Sequence, residues 1–382
     1  MRIAVDARPA AFRYRTGVGQ YTWQLLRLLP RLDPSSTYIA WYLNARGALG
    51  GPPRTFTDIA ASNLRERWTP IPAQWFRPFE QRFEVPPVEW LVRFDVLFAP
   101  NFVPPPTRTR RLVMTVHDVA FRLFPETAPH STLRWLNRLD RSLRRAARVI
   151  VVSQQTKRDL LSQYRVAEER VVVIPNGVDA RAFHDVPEAE VNAARQQFGI
   201  QGPYLLFLGG IEPRKNLPAV VRAFTRIPAD VRPTLVIGGW RTEWNPEGWN
   251  QLQEALNELP ATIRSRILIT GYVPEERKAG LLAGAEALVY PSLYEGFGLQ
   301  VLEAMAAGTP VLTSNISALP EVAGDAAVLV DPREVEAISD GMEKVLRDDE
   351  LRKELRERGR ARVETFSWEE TARRTVEVLH QA

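Results

Sequence analysis

Short apolar runs alternate with amphipathic segments along most of the chain. The apolar run 2–7 is followed by a Gly-x-Gly turn and then by Tyr21, Leu25 and Leu29, which recur at helical spacing. A strand, a glycine loop and a helix in this order are the opening unit of a parallel α/β sheet. The pattern therefore predicts an α/β fold from the start of the chain.

The same alternation predicts two consecutive α/β series. Apolar runs without a polar face are typical of strands that are buried on both sides. The predicted strands of the first series are 2–7, 38–43, 95–100, 112–118, 148–153 and 170–177. Those of the second series are 204–210, 234–239, 266–273, 286–292, 309–314 and 326–332. Helical patterns follow most of these strands; one begins at Ser153 as a predicted N-cap, and two helices are expected after the last strand.

Two stretches interrupt the alternation. Residues 176–203 are mixed and polar, and we interpret them as the crossing between two domains, 1–175 and 176–367. Residues 70–90 are dense in proline and aromatic side chains, which predicts an irregular insertion in the first domain.

Length and composition agree with two globular domains. At 382 residues the chain exceeds what one hydrophobic core usually organises, and it has 45% hydrophobic and 25% charged residues. The absence of cysteine excludes disulfides and Cys-based zinc sites, and the four histidines lack metal-ligand spacing. No apolar run reaches the roughly 20 residues of a membrane span, and the N-terminus lacks a signal-peptide pattern, so a cytoplasmic protein is expected.

The stretch 290–312 carries the most informative chemistry. A predicted strand ends there in Glu-Gly-Phe-Gly and passes into a helix, so Gly298 and the helix N-terminus would suit a phosphate. Glu295 and Glu303 stand on either side of the helix start, and carboxylates are good acceptors for pairs of hydroxyl groups. A nucleotide sugar, with a diphosphate between two polyhydroxylated rings, has this form. The spacing of the two acids is by itself a weak signal, because the chain contains 45 of them.

Two further polar groups follow predicted strands. Arg214 and Lys215 come after 204–210, where they would neutralise a diphosphate, and His117 ends the strand 112–118. Taken alone, the basic pair also fits a solvated turn, and the histidine also fits a core residue.

Taken together, these segments resemble a retaining glycosyltransferase of family 4 with the GT-B fold. The most specific part is 290–332. Along the chain before it, the motifs TGVGQYT, VHDVAF, VIPNGVD, EPRKNL and ITGYV occur in the family's order. The resemblance covers nearly the whole chain. It implies two Rossmann-like domains that face each other across a cleft, with a last helix, 368–382, that packs back on the first domain.

The resemblance also implies a role for each matching residue. His117 would lie beside the donor sugar, and Arg214 and Lys215 would hold the diphosphate. Glu295 would bind sugar hydroxyls, and Glu303 would bind the ribose. The other implied donor contacts are Gly17, Val18 and Gly19 near the phosphates, Tyr272 and Val273 beside the base, and Gly296, Phe297, Gly298 and Leu299 at the helix start.

The implied mechanism needs neither a metal nor a cofactor beyond the nucleotide sugar. No Asp-x-Asp occurs in the chain, so the metal clamp of the other large glycosyltransferase class is missing. Cationic side chains and helix amides would stabilise the departing diphosphate. Many relatives carry arginine at the position of Gly210. Without that cation, Arg214 would contribute more to the stabilisation of the departing diphosphate. The implied reaction is front-face attack with retention, in which the leaving phosphate oxygen takes the acceptor's proton.

The donor has a first candidate and an alternative. The segments TGVGQYT, FAPNFVPPP and GGW most resemble bacterial mannosyltransferases of surface polysaccharides or lipid-linked glycans, so GDP-mannose is expected. A UDP-sugar, and hence a glucosyl- or other hexosyltransferase, is the alternative. A non-catalytic nucleotide-sugar binder or a sugar-nucleotide 2-epimerase would share the architecture. A dinucleotide dehydrogenase is disfavoured because no G-x-G-x-x-G follows the first strand, and no nucleic-acid partner is expected.

Two segments are candidates for contact with the acceptor or a membrane. The aromatic residues Trp75, Phe76, Phe79 and Phe83 would form a sugar platform, touch a membrane, or simply pack their own loop. The Arg-rich helix predicted over 133–148 would present its arginines to anionic lipid or to solvent. A peripheral contact at the inner face of the membrane is therefore left open.

Overall fold

The computed structural model describes residues 1–11, 17–44, 59, 61–70, 85–125, 133, 136–239 and 246–382. Contacts divide the chain into two compact units. The first comprises Met1–Val119, His130–Gly177 and Trp368–Ala382, and the second comprises Ala120–Pro129 and Val178–Ser367. The aromatic residues at 75, 76, 79 and 83 lie outside the described residues.

Each unit contains one parallel sheet. The strands of the first are β1 (Arg2–Asp6), β2 (Thr37–Leu43), β3 (Leu64–Thr69), β4 (Val96–Ala99), β5 (Leu112–Val116), β6 (Arg148–Val151) and β7 (Val171–Val173), in the order β3-β2-β1-β4-β5-β6-β7. Those of the second are β8 (Tyr204–Leu208), β9 (Thr234–Gly238), β10 (Ile267–Gly271), β11 (Ala287–Tyr290), β12 (Val311–Ser314) and β13 (Val328–Val330), in the order β10-β9-β8-β11-β12-β13. Both orders reverse next to the unit's first strand, as in Rossmann-type sheets.

Helices accompany both sheets. Those of the first unit are α1 (Gly17–Leu32), α3 (Leu139–Arg145), α4 (Gln154–Gln163) and α14 (Trp368–His380). Those of the second are α2 (Ala120–Leu123), α5 (Glu188–Phe198), α6 (Leu217–Arg226), α7 (Glu247–Asn257), α8 (Ala261–Arg264), α9 (Glu275–Ala283), α10 (Leu299–Ala306), α11 (Leu319–Ala323), α12 (Val335–Arg347) and α13 (Asp349–Val363). Short 3₁₀ helices span Arg8–Ala11, Val88–Trp90, Glu168–Arg170, Ala180–Ala182 and Pro213–Lys215.

The most apolar of the predicted runs form the inner strands of the two sheets. Every residue of β4, β5, β8 and β11 is buried. Helices that cover both faces of a parallel sheet leave no polar face on its inner strands, which is why these segments lack polar alternation. The predicted N-cap is confirmed, because the Ser153 side chain accepts a hydrogen bond of 2.9 Å from the Thr156 N–H.

The last helix, α14, belongs to the first unit, where it packs on α1. The ring centroids of Trp368 and Tyr21 lie 6.0 Å apart, and the Thr371 hydroxyl donates to the Pro175 carbonyl over 2.8 Å. His380 Nε2 lies 2.8 Å from Oδ2 of the buried Asp33. The first unit is thus completed by a segment from the far end of the chain.

The division into units differs in detail from the expected ranges 1–175 and 176–367. The units meet in sequence at Gly177 and Val178, and the segment that begins at Ala120 groups with the second unit. Phe124 in that segment contacts Tyr294 at a ring separation of 5.7 Å. Because Phe124 and Tyr294 are far apart in sequence, no local sequence pattern predicts their contact.

Three departures from the predicted secondary structure have an identifiable physical cause. Strand β3 was missed because its sequence, LRERWT, is mostly polar, whereas the other edge strands, β7, β10 and β13, are apolar runs. Residues 188–198 were assigned to a domain crossing but form α5, which packs on α9 and ends at Gly199 with φ +67°. Three helices follow β13 instead of two, because Asp348 ends α12 and caps α13 by accepting from the Leu351 N–H.

Within the described residues, no helix combines the length and the apolar content needed to span a membrane.

Candidate active site

The loops that follow β8 and β11 meet at the carboxyl edge of the second sheet. These two strands are hydrogen-bonded neighbours, and the Leu293 N–H donates to the Arg214 carbonyl over 2.8 Å. The strand order of the sheet reverses between them. Rossmann-type sheets bind their ligands outside this point, so this edge of the sheet is the candidate site.

A buried carboxylate lies between two cations in these loops. Glu295 Oε2 is 2.8 Å from an Arg214 guanidinium nitrogen, and Glu295 Oε1 is 2.9 Å from Lys215 Nζ. The Tyr290 hydroxyl accepts from Lys215 and donates to Glu295 Oε1 over 2.7 Å. Glu295 is 7% exposed and Lys215 is 5% exposed, so water screens these pairs weakly.

The charges of this cluster balance. Arg214 Nε also pairs with Glu212 Oε2 at 2.8 Å, which sets two carboxylates against two cations. Burial raises the pKa of Glu295, but Arg214 and Lys215 outweigh burial and lower this pKa to about 2. The Glu295 carboxylate is therefore ionised at neutral pH, and the two cations expected to hold a diphosphate are paired with carboxylates in this structure.

Glycines allow close packing of the loops at this edge of the sheet. Gly298 has φ +105°, and a Cβ there would come within 2.7 Å of the Leu319 side chain. A Cβ on Gly239 would lie 1.9 Å from the Gly209 carbonyl oxygen, so a larger residue does not fit. Helix α10 begins directly after Gly298, and the first N–H groups of a helix favour an anion.

A second buried acid, Glu303, lies in α10. Its Oε1 pairs with Lys278 Nζ of α9 at 2.6 Å, whereas its buried Oε2 has no hydrogen-bond partner in the described part of the chain. Burial raises the pKa of Glu303 above its usual range despite the neighbouring Lys278. A buried carboxylate oxygen without a donor is unfavourable, so Oε2 suits a hydroxyl group supplied by a ligand.

The first unit places His117 at the carboxyl end of β5. Its Nε2 lies 2.8 Å from the Pro100 carbonyl, which can only accept, so Nε2 carries the proton and Nδ1 is an acceptor. Tyr21 and Phe102 contact the ring edge-on, at centroid distances of 4.9 and 5.6 Å. Burial lowers the pKa of His117 to about 4, so its imidazole is neutral at pH 7.

The glycine turn of the first unit differs from its expected form. Gly17, Val18 and Gly19 were expected to form a loop, but they are helical and belong to α1, Gly17–Leu32. Glycine is among the least favourable residues in a helix, so Gly17 and Gly19 favoured a loop in the sequence.

Comparison with known proteins agrees with this architecture. The profile described as "Glycosyl transferases group 1" matches residues 190–362, and "Glycosyltransferase Family 4" matches residues 15–182. The O-antigen chain mannosyltransferase B of Escherichia coli is 35% identical over 286 residues, which are 74% of this chain and 73% of that protein. The chain belongs to glycosyltransferase family 4. The resemblance seen in the sequence is thus confirmed, and so is the GT-B fold class.

Another relative of this family 4 chain is also named as a mannosyltransferase. A segment of 237 residues, 61% of this chain, is 31% identical to the serotype-specific mannosyltransferase WbdA of Escherichia coli, of which it covers 28%. Two solved structures share the fold at 16% identity: Anabaena HepE in complex with UDP and glucose, with a TM-score of 0.72 and full coverage of both chains, and the lipopolysaccharide glycosyltransferase WaaG, with a TM-score of 0.68 and 99% coverage of both.

The structure brings together only part of the predicted site. Arg214, Lys215 and Glu295 form one cluster, and the loop holding Gly296 and Phe297 leads from it to Leu299 at the start of α10. Glu303 pairs separately with Lys278. Tyr272, 41% exposed, and Val273 directly follow β10, and His117, Gly17, Val18 and Gly19 lie in the other unit. The donor-binding roles of all these residues stay predictions.

Four residues of the site were missed in the sequence. Tyr290, Glu212 and Ser292 all contact members of the Glu295 cluster, and Ser292 Oγ lies 3.3 Å from Glu295 Oε1. Lys278 partners Glu303. Tyr290 and Ser292 lie at the end of a strand that was already implicated, which was an available signal. Lys278 lies in a helix 25 positions before Glu303, and no motif indicated the pair.

Acid is expected to destabilise the first unit through His117. The folded pKa of about 4 lies below the ordinary value of 6.5, so the unfolded chain takes up the proton first as the pH falls. The stability that neutral His117 provides is therefore complete above about pH 6.5 and lost by about pH 4. His117→Gln keeps a donor for Pro100 but does not titrate. Melting temperatures between pH 7 and 4.5 should fall less for this variant than for the wild type, and parallel curves would contradict the assignment.

Proposed function

We propose that this family 4 enzyme is a retaining hexosyltransferase that moves mannose from GDP-mannose to a glycan or lipid-linked acceptor in surface polysaccharide synthesis. The observation that carries the proposal is the Glu295 carboxylate held between Arg214 and Lys215 where the strand order reverses. This site offers cations for a diphosphate and a carboxylate for hydroxyl groups. The relatives named as mannosyltransferases support the choice of sugar.

Donor binding would exchange ion pairs within this cluster. The diphosphate would draw Arg214 and Lys215 away from Glu295, and the carboxylate would then accept from sugar hydroxyls. The N–H groups of Phe297, Gly298 and Leu299 would add donors at the start of α10. Because Glu212 also neutralises Arg214, Lys215 would make the larger contribution to the charge seen by the leaving group.

The remaining predicted contacts complete the donor site in this proposal. Glu303 Oε2 would accept from a ribose hydroxyl, which supplies the donor that this buried oxygen lacks among the described residues. Tyr272 and Val273 would border the base. His117 Nδ1 would accept from a sugar hydroxyl, and Gly17, Val18 and Gly19 would lie near the phosphates.

The proposed chemistry is substitution on one face of the sugar. The bond from the anomeric carbon to the phosphate oxygen breaks with its electron pair going to the phosphate, and the acceptor oxygen bonds to the same face. The acceptor's proton passes to the departing phosphate oxygen, so no protein base is consumed. Arg214, Lys215 and the helix amides would stabilise the growing charge without a metal ion.

The proposal is tested by a thermal-shift panel followed by product analysis. A ligand at 100 times its Kd stabilises a protein by about 2.7 kcal/mol, so GDP-mannose should raise the melting temperature by several degrees. Transfer to lipid-linked mannosyl acceptors should then release GDP, persist in EDTA, and give the retained anomer by NMR. An inverted anomer, or activity that EDTA abolishes and Mg²⁺ restores, would contradict the mechanism.

A second donor has a specific observation in its favour. HepE, which shares the fold, was solved with UDP and glucose, so UDP-glucose is the runner-up. A larger shift with UDP-sugars than with GDP-sugars would select a UDP-hexosyltransferase. Donor binding without acceptor-dependent release of the nucleotide would instead indicate a binder.

We further propose that the enzyme works at the cytoplasmic face of a membrane, where a lipid-linked acceptor would be presented. The described part of the Arg-rich segment constrains how it would do so. Leu136, Leu139 and Leu143 are buried in the first unit, so they are not available to lipid, while Arg141 and Arg144 are exposed. Any attraction would therefore be electrostatic, and co-flotation with anionic vesicles should vanish in high salt.

A further inference from the structure

Ser317 has a backbone conformation that serine rarely adopts. Its φ is +62°, in the left-handed region, which favours glycine and also admits asparagine and aspartate. In the described part of the chain, the other non-glycine residues with positive φ are Asp185 and Asn216, which belong to those tolerated types. A residue with a strained backbone conformation persists where the surrounding structure holds it, so we expect specific interactions to hold Ser317.

The hydroxyl of Ser317 makes these interactions. It donates to the Glu295 carbonyl over 2.7 Å and accepts from the Glu295 N–H over 3.0 Å. The Ala318 N–H also approaches the Glu295 carbonyl, at 3.4 Å. One side chain, 22 positions away in sequence, thus satisfies both backbone polar groups of the residue that carries the central carboxylate.

The segment that follows β12 also contacts the loop at Gly298. The side chain of the buried Leu319 fills the space beside Gly298, where a Cβ would come within 2.7 Å of it. Ser314, at the end of β12, donates to the Ser292 carbonyl over 2.6 Å. The loop from Ser292 to Gly298 is therefore fixed to the segment after β12 at three points.

We propose that Ser317 is a positioning residue that sets the direction of the Glu295 carboxylate. The inference rests on the proposed function. When the diphosphate takes Arg214 and Lys215, Glu295 loses both charged partners, and its backbone clamp becomes a main constraint on its side chain. Glycine would suit the backbone of position 317 better, but it has no hydroxyl to hold Glu295.

The test compares two variants at this position with a control. Ser317→Gly removes the hydroxyl and the strain, whereas Ser317→Ala removes the hydroxyl and keeps the strain. Both should lower kcat about tenfold without weakening affinity for the free nucleoside diphosphate. Only Ser317→Ala should also lower the melting temperature markedly. Asp185→Gly relieves a left-handed residue with an exposed side chain, and it should leave kcat unchanged.

A second readout does not depend on turnover. The pKa of the Glu295 carboxyl, followed by NMR, should rise in Ser317→Gly as its pairing with Arg214 and Lys215 loosens. Unchanged kcat and an unchanged pKa in Ser317→Gly would overturn the positioning role, as would losses that only track the melting temperature. If the wild-type chain transfers no sugar, the proposed function fails, and the pKa comparison still decides the role of Ser317.

Discussion

Replacement of Lys215 by alanine is expected to lower kcat/KM about 10²- to 10³-fold, the usual effect of removing one donor to developing charge. Lys215 is 5% exposed, and its ammonium group lies 2.9 Å from Glu295 Oε1. The substitution removes a cation that would face the departing diphosphate. Among the described residues it also leaves Arg214 as the one charged partner of the buried Glu295 carboxylate, which would then be held less firmly.

Steady-state kinetics with the preferred donor measures the effect, and Lys215→Met separates its causes. Methionine keeps much of the lysine stem but has no charge, so it should lose activity as alanine does while disturbing packing less. Lys353, which is exposed on α13, supplies a matched control whose alanine variant should retain full activity. A folded Lys215→Met protein with wild-type kcat/KM would remove Lys215 from the site.

Much of the fold followed from the sequence because of how parallel sheets are built. Twelve of the thirteen described strands were predicted, since they are short apolar runs, and the inner ones are covered on both faces of their sheet. The exception was β3, whose sequence is mostly polar. The Ser153 cap was predictable because its hydrogen bond is local, whereas α5 was hidden by a helix sequence with few apolar residues.

The candidate site was predictable in position but not in pairing. Strand ends could be located from the apolar runs, and they placed Arg214, Lys215 and Glu295 at one edge of the sheet. Lys215 and Glu295 are 80 positions apart, and no spacing rule shows that the cations hold the carboxylate. The clamp from Ser317 was equally invisible, because it depends on one φ angle and on a loop from the next strand.

Glu295→Gln is expected to have two opposite effects. Transfer should fall by about 10² or more, because the carboxylate that would accept from sugar hydroxyls in the transition state is replaced by a neutral amide. Affinity for the free nucleoside diphosphate should instead rise about tenfold, or about 1.4 kcal/mol. In the wild-type protein the Glu295 carboxylate neutralises Arg214 and Lys215, so the nucleotide has to compete with it for these cations.

Glu212→Gln is the variant that separates these two effects. The Glu212 carboxylate pairs with Arg214 Nε, and no described hydrogen bond or ion pair joins that side chain to Lys215 or Tyr290. The Glu212 carbonyl accepts from the Lys215 N–H over 3.0 Å, but the substitution leaves this backbone bond in place. Its replacement should therefore also tighten nucleoside diphosphate binding, measured by calorimetry, while lowering kcat far less than Glu295→Gln does. If Glu295→Gln weakens nucleotide binding instead, the carboxylate is not a competitor of the diphosphate, and the proposed exchange of ion pairs is wrong. If both variants lose transfer equally, charge balance at Arg214 matters for catalysis, and the separate role proposed for Glu295 toward the sugar has no support.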